Sequence, residues 1–162
     1  RTSNEGRTLT VTLEKNFRID RDREAVWRFL TDPANVAACL PGARLVRVLD
    51  RRTFEGEVKL KLGPFGLVFR GLARFTELDP EARYARLEAS ASELKGWGDG
   101  EMWMRSRLRA EEGATLVELE QSFRVSGRLS GVVATGLLRH AADFVLTRFA
   151  TCVRSRIESE RA

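Results

Sequence analysis

Thr53-Phe54-Glu55-Gly56-Glu57-Val58-Lys59-Leu60-Lys61-Leu62, followed by Gly63-Pro64-Phe65-Gly66, is the stretch that decides how this chain folds. Its side chains alternate with period two. Phe54, Gly56, Val58, Leu60 and Leu62 share one face, and Glu55, Glu57, Lys59 and Lys61 share the other. That is the pattern of a strand packed on one side and wetted on the other, which an antiparallel sheet requires. The Gly-Pro-Phe-Gly that follows is a turn signal. Beyond it Leu67 to Leu78 alternates again, with Leu67, Phe69, Gly71, Ala73 and Phe75 on its apolar face, so the two segments predict a hairpin.

Working outward, the alternation continues on both sides. Ala43 to Leu49 precedes the hairpin. Arg83 to Ala91, Gly100 to Ala110 and Ala114 to Val125 follow it, separated by Asp79-Pro80-Glu81 and Glu111-Glu112-Gly113. The inward sets are Ala85, Leu87, Ala89 and Ala91, then Gly100, Met102, Met104, Ser106 and Leu108, then Val117, Leu119, Gln121, Phe123 and Val125. Nearer the N-terminus, Thr8 to Ile19 reads as a strand. Asp20 or Asp22 caps a short helix from Arg23 to Thr31, and Pro33 opens a second through Ala38, which Leu40-Pro41-Gly42 breaks. Leu129 to about Glu158 runs without proline and with helical periodicity. At about 100° per residue, Ala134, Leu138, Ala141, Ala142, Val145, Phe149 and Cys152 fall on one stripe, opposite Arg139, His140, Asp143, Thr147, Arg154 and Glu158. One strand, two short helices, six strands and a long helix form an α+β pattern. The long helix can bury its stripe only against one face of the curved antiparallel sheet. The expectation is therefore a helix-grip fold, as a single domain over residues 1–162.

The composition is that of a globular protein, with 43% hydrophobic and 31% charged residues among 162, which excludes disordered and fibrous classes. No apolar run approaches the roughly 20 residues that span a bilayer, and no secretory signal opens the sequence. Cys39 and Cys152 lack any Cys-x-x-Cys spacing, so a zinc site is not expected. The pair reads as reduced thiols of a cytoplasmic protein. The net charge of +5 is carried almost wholly by arginine. An outer stripe of Arg105, Arg107 and Arg109 would suit a nucleic-acid track, but the next hairpin sets Glu120 and Glu118 across from the first two. Nucleic acid is thus not expected as a partner. Lys59, Lys61 and Arg70 gather beside the turn at Phe65, and this cationic patch behind an apolar tip is the candidate contact for a membrane or an acidic partner.

The inner faces carry the functional signal. Alanines and a cysteine on the helix oppose Gly56, Gly71, Ala73, Ala85, Ala89, Ala91 and Gly100 on the sheet. Small residues facing small residues leave a cavity, unless the sheet curls closer and the space closes; periodicity does not choose between the two. If a cavity exists, the candidate ligand-binding residues are Phe54, Val58, Leu60, Leu62, Leu67, Phe69, Ala73 and Phe75 from the first hairpin. Leu87, Ala89, Met102, Met104 and Gln121 come from later strands, and Leu138, Ala141, Val145 and Phe149 from the helix. These faces hold no Asp, Glu, His or Lys across the central strands, which speaks against acid–base or nucleophilic catalysis. A bulge that flipped one strand would bring Glu101 or Arg105 inside. His140 lies on the solvent side of its helix, and no metal-binding or phosphate-binding motif is present.

Several segments resemble the G-subunit family of carbon monoxide dehydrogenase, within the START-like superfamily that includes polyketide cyclases. They are Val26-Trp27 through Asp32-Pro33, Cys39-Leu40-Pro41-Gly42-Ala43, Glu57 to Pro64 with Phe69-Arg70-Gly71, Leu78-Asp79-Pro80, Gly113 to Leu116, and Val125 to Leu129. The resemblance implies the helix-grip fold and an apolar cavity between helix and sheet. It also implies a role beside a molybdenum-containing hydroxylase of the carbon monoxide dehydrogenase type, with a lipid or quinone as the bound molecule and a location peripheral to the inner face of the membrane. Three readings follow: a non-catalytic module binding an apolar small molecule, an interaction protein docking a dehydrogenase or membrane with a filled core, and a cyclase-like enzyme.

Overall fold

The computed structural model describes residues 8–132 and 135–160. Strand β1 (Thr8–Ile19) leads into helices α1 (Arg23–Leu30) and α2 (Pro33–Cys39). Six strands follow: β2 (Ala43–Val48), β3 (Thr53–Leu62), β4 (Phe65–Asp79), β5 (Tyr84–Glu93), β6 (Asp99–Glu111) and β7 (Ala114–Ser126). The chain closes with α3 (Leu129–Val132) and the long α4 (Thr135–Ser159). The one predicted C-terminal helix is thus described in two parts, and Ala134 of its predicted stripe lies outside the described residues.

The seven strands form one sheet in the order β1-β7-β6-β5-β4-β3-β2, every neighbouring pair antiparallel. From β2 to β7 each turn joins spatial neighbours, and β1 closes the far edge against β7. Local chemistry sets the boundaries. The Asp22 carboxylate caps α1 by accepting from the Ala25 N–H at 3.3 Å, and Asp32 caps α2 by accepting from Ala34 N–H at 3.0 Å. The Leu40-Pro41-Gly42 turn presses onto β3: Gly42 has φ +79°, and a Cβ there would stand 2.3 Å from the Lys59 carbonyl oxygen. Gly71 answers a second close approach, since a Cβ on it would lie 2.0 Å from the Ser90 carbonyl oxygen on β5.

The α4 stripe differs from the helical-wheel expectation. Leu138, Ala142, Leu146, Phe149, Ala150, Val153 and Ile157 are buried, while Ala141, Val145 and Cys152 are only partly so. The reason is the edge strand. α4 runs along β1, so the flank expected to face solvent is engaged there instead. Lys15 Nζ donates to Thr147 Oγ1 at 3.1 Å, Arg154 Nε to the Arg18 carbonyl at 2.9 Å, and the Asp20 N–H to Glu158 Oε2 at 2.8 Å.

Two packed clusters divide the interior. One gathers Phe17, Ile19, Val26, Phe75, Met104, Phe149 and Val153 under α1 and the second half of α4. The other gathers Val11, Leu62, Leu67, Val125, Leu129 and Leu138 at the opposite end. Cys39, at the end of α2, and Cys152, on α4, form a disulfide with Cα atoms 5.4 Å apart. The reading of two reduced thiols therefore fails, and with it the argument for a reducing compartment. The helix grip brings together two residues 113 positions apart, a juxtaposition that no spacing rule contains.

Candidate functional site

The small residues concentrate between the two packed clusters, and there the core is not filled. A cavity of about 180 Å³ lies between the sheet and α4. Ala89, Ala91, Gly100, Met102, Gln121, Phe123 and Val125 form its sheet side; Val58, Leu60, Leu62 and Phe69 form a wall. Leu138, Ala141, Ala142 and Val145 cover it from α4, and Leu40 and Pro41 close the side nearest α2. A second cavity of about 120 Å³ adjoins it beneath α2 and β2, sharing Leu40, Val58, Phe69, Ala89, Ala91 and Met102 and adding Val36, Leu45, Phe54, Ala73 and Leu87. The sheet has not curled in to close the space.

The candidate residues divide accordingly. Val58, Leu60, Leu62, Phe69, Ala89, Met102, Gln121, Leu138, Ala141 and Val145 stand around the larger cavity, and Phe54, Ala73 and Leu87 around the smaller. Leu67 sits in the second packed cluster, and Phe75, Met104 and Phe149 sit in the first, away from both cavities. Leu40, Pro41, Val36 and Ala37 were not anticipated as lining. The Leu-Pro-Gly break was visible, but only the tertiary fold lays it over the cavity.

The interior is almost without charge. β6 keeps its expected register, with Met102 and Met104 inward and Glu101 and Arg105 exposed, because the sheet's irregularities fall in β2 and β4. Glu101 and Arg124 border the larger cavity only from the outer face, where they pair with each other. Arg44 and Glu57, 3.4 Å apart, border the smaller one in the same way. Gln121 is different. It stands inward on β7 between Leu13 on β1 and Met104 on β6, is 2% exposed, and its Oε1 has no hydrogen-bond partner.

One buried carboxylate was missed. The alternation of β5 runs two residues past Ala91 and places Glu93 inward, 4% exposed, outside the cavity lining. It accepts from the Val68 N–H at 3.1 Å, the Lys95 N–H at 2.8 Å and the Trp97 N–H at 3.3 Å. Desolvation pushes its pKa up. The three backbone donors and the nearby Lys95 charge outweigh that, holding the carboxyl below its ordinary value. Glu93 is thus a clasp for the loop between β5 and β6, with its acceptors already engaged. Among the described residues no three His, Cys, Asp or Glu side chains gather closely enough to hold a metal ion.

The outer face bears out one expectation and corrects another. Glu120 and Glu118 stand across from Arg105 and Arg107 as expected. Arg105 pairs with Glu120, while the Glu118 carboxylate reaches Arg109 at 2.8 Å and Arg107 lies 5.4 Å from the Tyr84 ring centroid. Phe65 does not project as an apolar tip. It is half-buried, packed edge-on against Trp97 with ring centroids 5.4 Å apart. Trp97 is presented by the loop that Glu93 secures, a contact with no trace in strand alternation. Lys59 and Lys61 are exposed, while Arg70 lies 3.6 Å from Glu57, its register partner, which reduces the patch.

A seven-stranded antiparallel sheet gripping a C-terminal helix, with an apolar cavity held between them, defines a helix-grip domain of the START-like (SRPBCC) class. Within that class the chain belongs to the CoxG family, that of the carbon monoxide dehydrogenase G-subunit, which it matches over residues 16–158. Solved structures share the fold at low sequence identity. A conserved protein from Geobacillus kaustophilus superimposes with a TM-score of 0.79 at 15% identity, over 92% of this chain and 96% of its own. The Zhui aromatase/cyclase from Streptomyces sp. R1128 gives 0.61 at 14% identity, over 93% of each chain. Norcoclaurine synthase from Thalictrum flavum gives 0.61 at 14% identity, over 97% of this chain and 91% of its own. No curated protein sequence matches. Among the described residues no helix is long and apolar enough to cross a membrane.

Proposed function

We propose that this protein binds a hydrophobic small molecule, a lipid or a quinone, in the helix–sheet cavity without transforming it. In this reading it serves as accessory to a molybdenum hydroxylase of the carbon monoxide dehydrogenase type. The observation that carries the reading is an apolar space at the centre of the core. At about 24 cal/mol per Å³, a cavity of 180 Å³ would cost about 4 kcal/mol if sealed and empty. That is a large part of a typical net stability of about 5–15 kcal/mol, so an occupant would recover much of it. An engineered cavity of roughly 150 Å³ accepts benzene, so the larger cavity is of a size for one ring and the adjoining space suits a short tail. A cyclase-like enzyme has less support: it needs an ionisable side chain at the reacting atom, and of the buried polar side chains among the described residues the one in the cavity lining is the amide of Gln121. Family membership supports the dehydrogenase as partner, and Lys59 with Lys61 is the candidate contact on it or on the inner membrane face.

Organic extraction of the purified protein, with native mass spectrometry of the intact chain, tests the binding. A stoichiometric lipid or quinone is expected. Ala141→Phe or Ala89→Phe should abolish uptake while the fold survives, and undiminished uptake would refute the placement of the site. For the partner, Lys59→Glu with Lys61→Glu should weaken co-purification of the dehydrogenase; unchanged recovery would remove that surface from the proposal.

A further inference from the structure

Gln121 is a costly residue where it stands. A buried acceptor with no donor forfeits the hydrogen bond it would make to water, and an apolar side chain of similar size would fit the same surroundings without that penalty. The flanking side chains on both neighbouring strands, Leu13 and Met104, have no hydrogen to offer. The α4 residues that cover the cavity, Leu138, Ala141, Ala142 and Val145, are all apolar. Gln121 therefore lines the cavity's apolar space as a residue 2% exposed, with its Oε1 left without a partner.

We propose that Gln121 is the polar anchor of the cavity. It selects, among apolar molecules of suitable size, those whose ring or chain ends in a hydroxyl or another hydrogen-bond donor directed at β7. This rests on the cavity being a binding site and adds which chemistry it prefers. The other inward-facing side chains of the lining are hydrocarbon and thioether, so they grip any apolar body by area and shape with little discrimination. Discrimination must come from the one group that is satisfied by some occupants and left unsatisfied by others. A donor supplies what Oε1 lacks, whereas a carbonyl or ether oxygen at the same point brings two acceptors together. Of a quinone and its two-electron-reduced quinol, only the quinol carries such a donor.

The test uses 4-butylphenol and its methyl ether, 4-butylanisole, two probes alike in shape that differ in the donor. Calorimetric titration of each into the wild-type protein gives an affinity ratio, and the same ratio is measured for Gln121→Leu. The ether's lower cost of leaving water cancels between the two proteins. A fall of about tenfold in the phenol-to-ether ratio on substitution is expected, the equivalent of one buried hydrogen bond. Gln121→Met, with an unbranched side chain of similar length, should reproduce that fall if the leucine variant does not fold. An unchanged ratio with both probes bound would overturn the anchor while leaving the cavity as a binding site. A ratio that rises would show that the amide presents its N–H groups and would overturn it equally. If neither probe binds the wild-type protein, the cavity is not a site for such molecules and both proposals fall.

Discussion

Breaking the Cys39–Cys152 disulfide should cost this protein a large part of its stability. The bridge closes a loop of 113 residues, and the chain-entropy relation for a loop of that length gives about 5 kcal/mol at 25 °C. Native disulfides commonly deliver somewhat less, about 2–4 kcal/mol, because the unfolded chain retains structure. The length of the loop argues for the upper part of that range. The bridge ties α2 to α4 across the side of the interior closed by Leu40 and Pro41, beside both cavities. For a chain of this size 1 kcal/mol moves the melting temperature by about 2–4 °C, so reduction should lower it by roughly 10 °C. The assay is thermal unfolding by circular dichroism with and without a phosphine reductant, beside thiol titration of the unreduced protein. Cys39→Ser with Cys152→Ser should match the reduced protein. A shift under about 2 °C with both thiols demonstrably reduced would refute the entropy argument. Two freely titrating thiols in the unreduced, denatured protein would refute the bridge itself.

Three further outcomes are expected. Gln121→Leu should raise the stability of the ligand-free protein by about 1–2 kcal/mol, read from urea unfolding, because it removes an unpaired buried acceptor; a loss of stability would mean the amide has a partner within the fold. Gly71→Ala should destabilise by about 3 kcal/mol, since its Cβ would meet backbone atoms of β5 that cannot swing aside, and a change within about 0.5 kcal/mol would show the strands separate easily there. Glu93 has a folded pKa below its ordinary value of 4.5, so its contribution is complete above that value and fades as pH falls through the folded one. The stability gap between wild type and Glu93→Gln should therefore shrink from about pH 6 to pH 3, and a gap that widens toward acid would reverse the assignment.

Much of the architecture could be read directly, because period-two alternation over β3 to β7 is imposed residue by residue by the pleat. Phe54 to Leu62 and Gly100 to Leu108 fall inward as their spacing dictates. The face of α4 was read less well. A helical wheel sees one stripe, whereas Leu146, Ala150, Val153 and Ile157 are buried because β1 supplies a second surface for the helix. The site was half legible. Ala89, Ala91, Gly100 and Ala141 signalled missing volume, but volume is a property of two faces and their separation, and sequence supplies only the faces.

Alternation, turn residues and caps by themselves determined the order of elements, the antiparallel pairing of successive strands from β2 to β7 and the apolar character of the interior, since each depends on neighbours within a few positions. Only the tertiary structure decided that the gap between helix and sheet stays open and that Leu40 and Pro41 close its side. It also decided that Cys39 meets Cys152, that Phe65 rests on Trp97, and that Gln121 stands without a partner. Each of these depends on how far apart distant segments come to rest. That distance is set by the summed packing of the whole core, which no local pattern encodes.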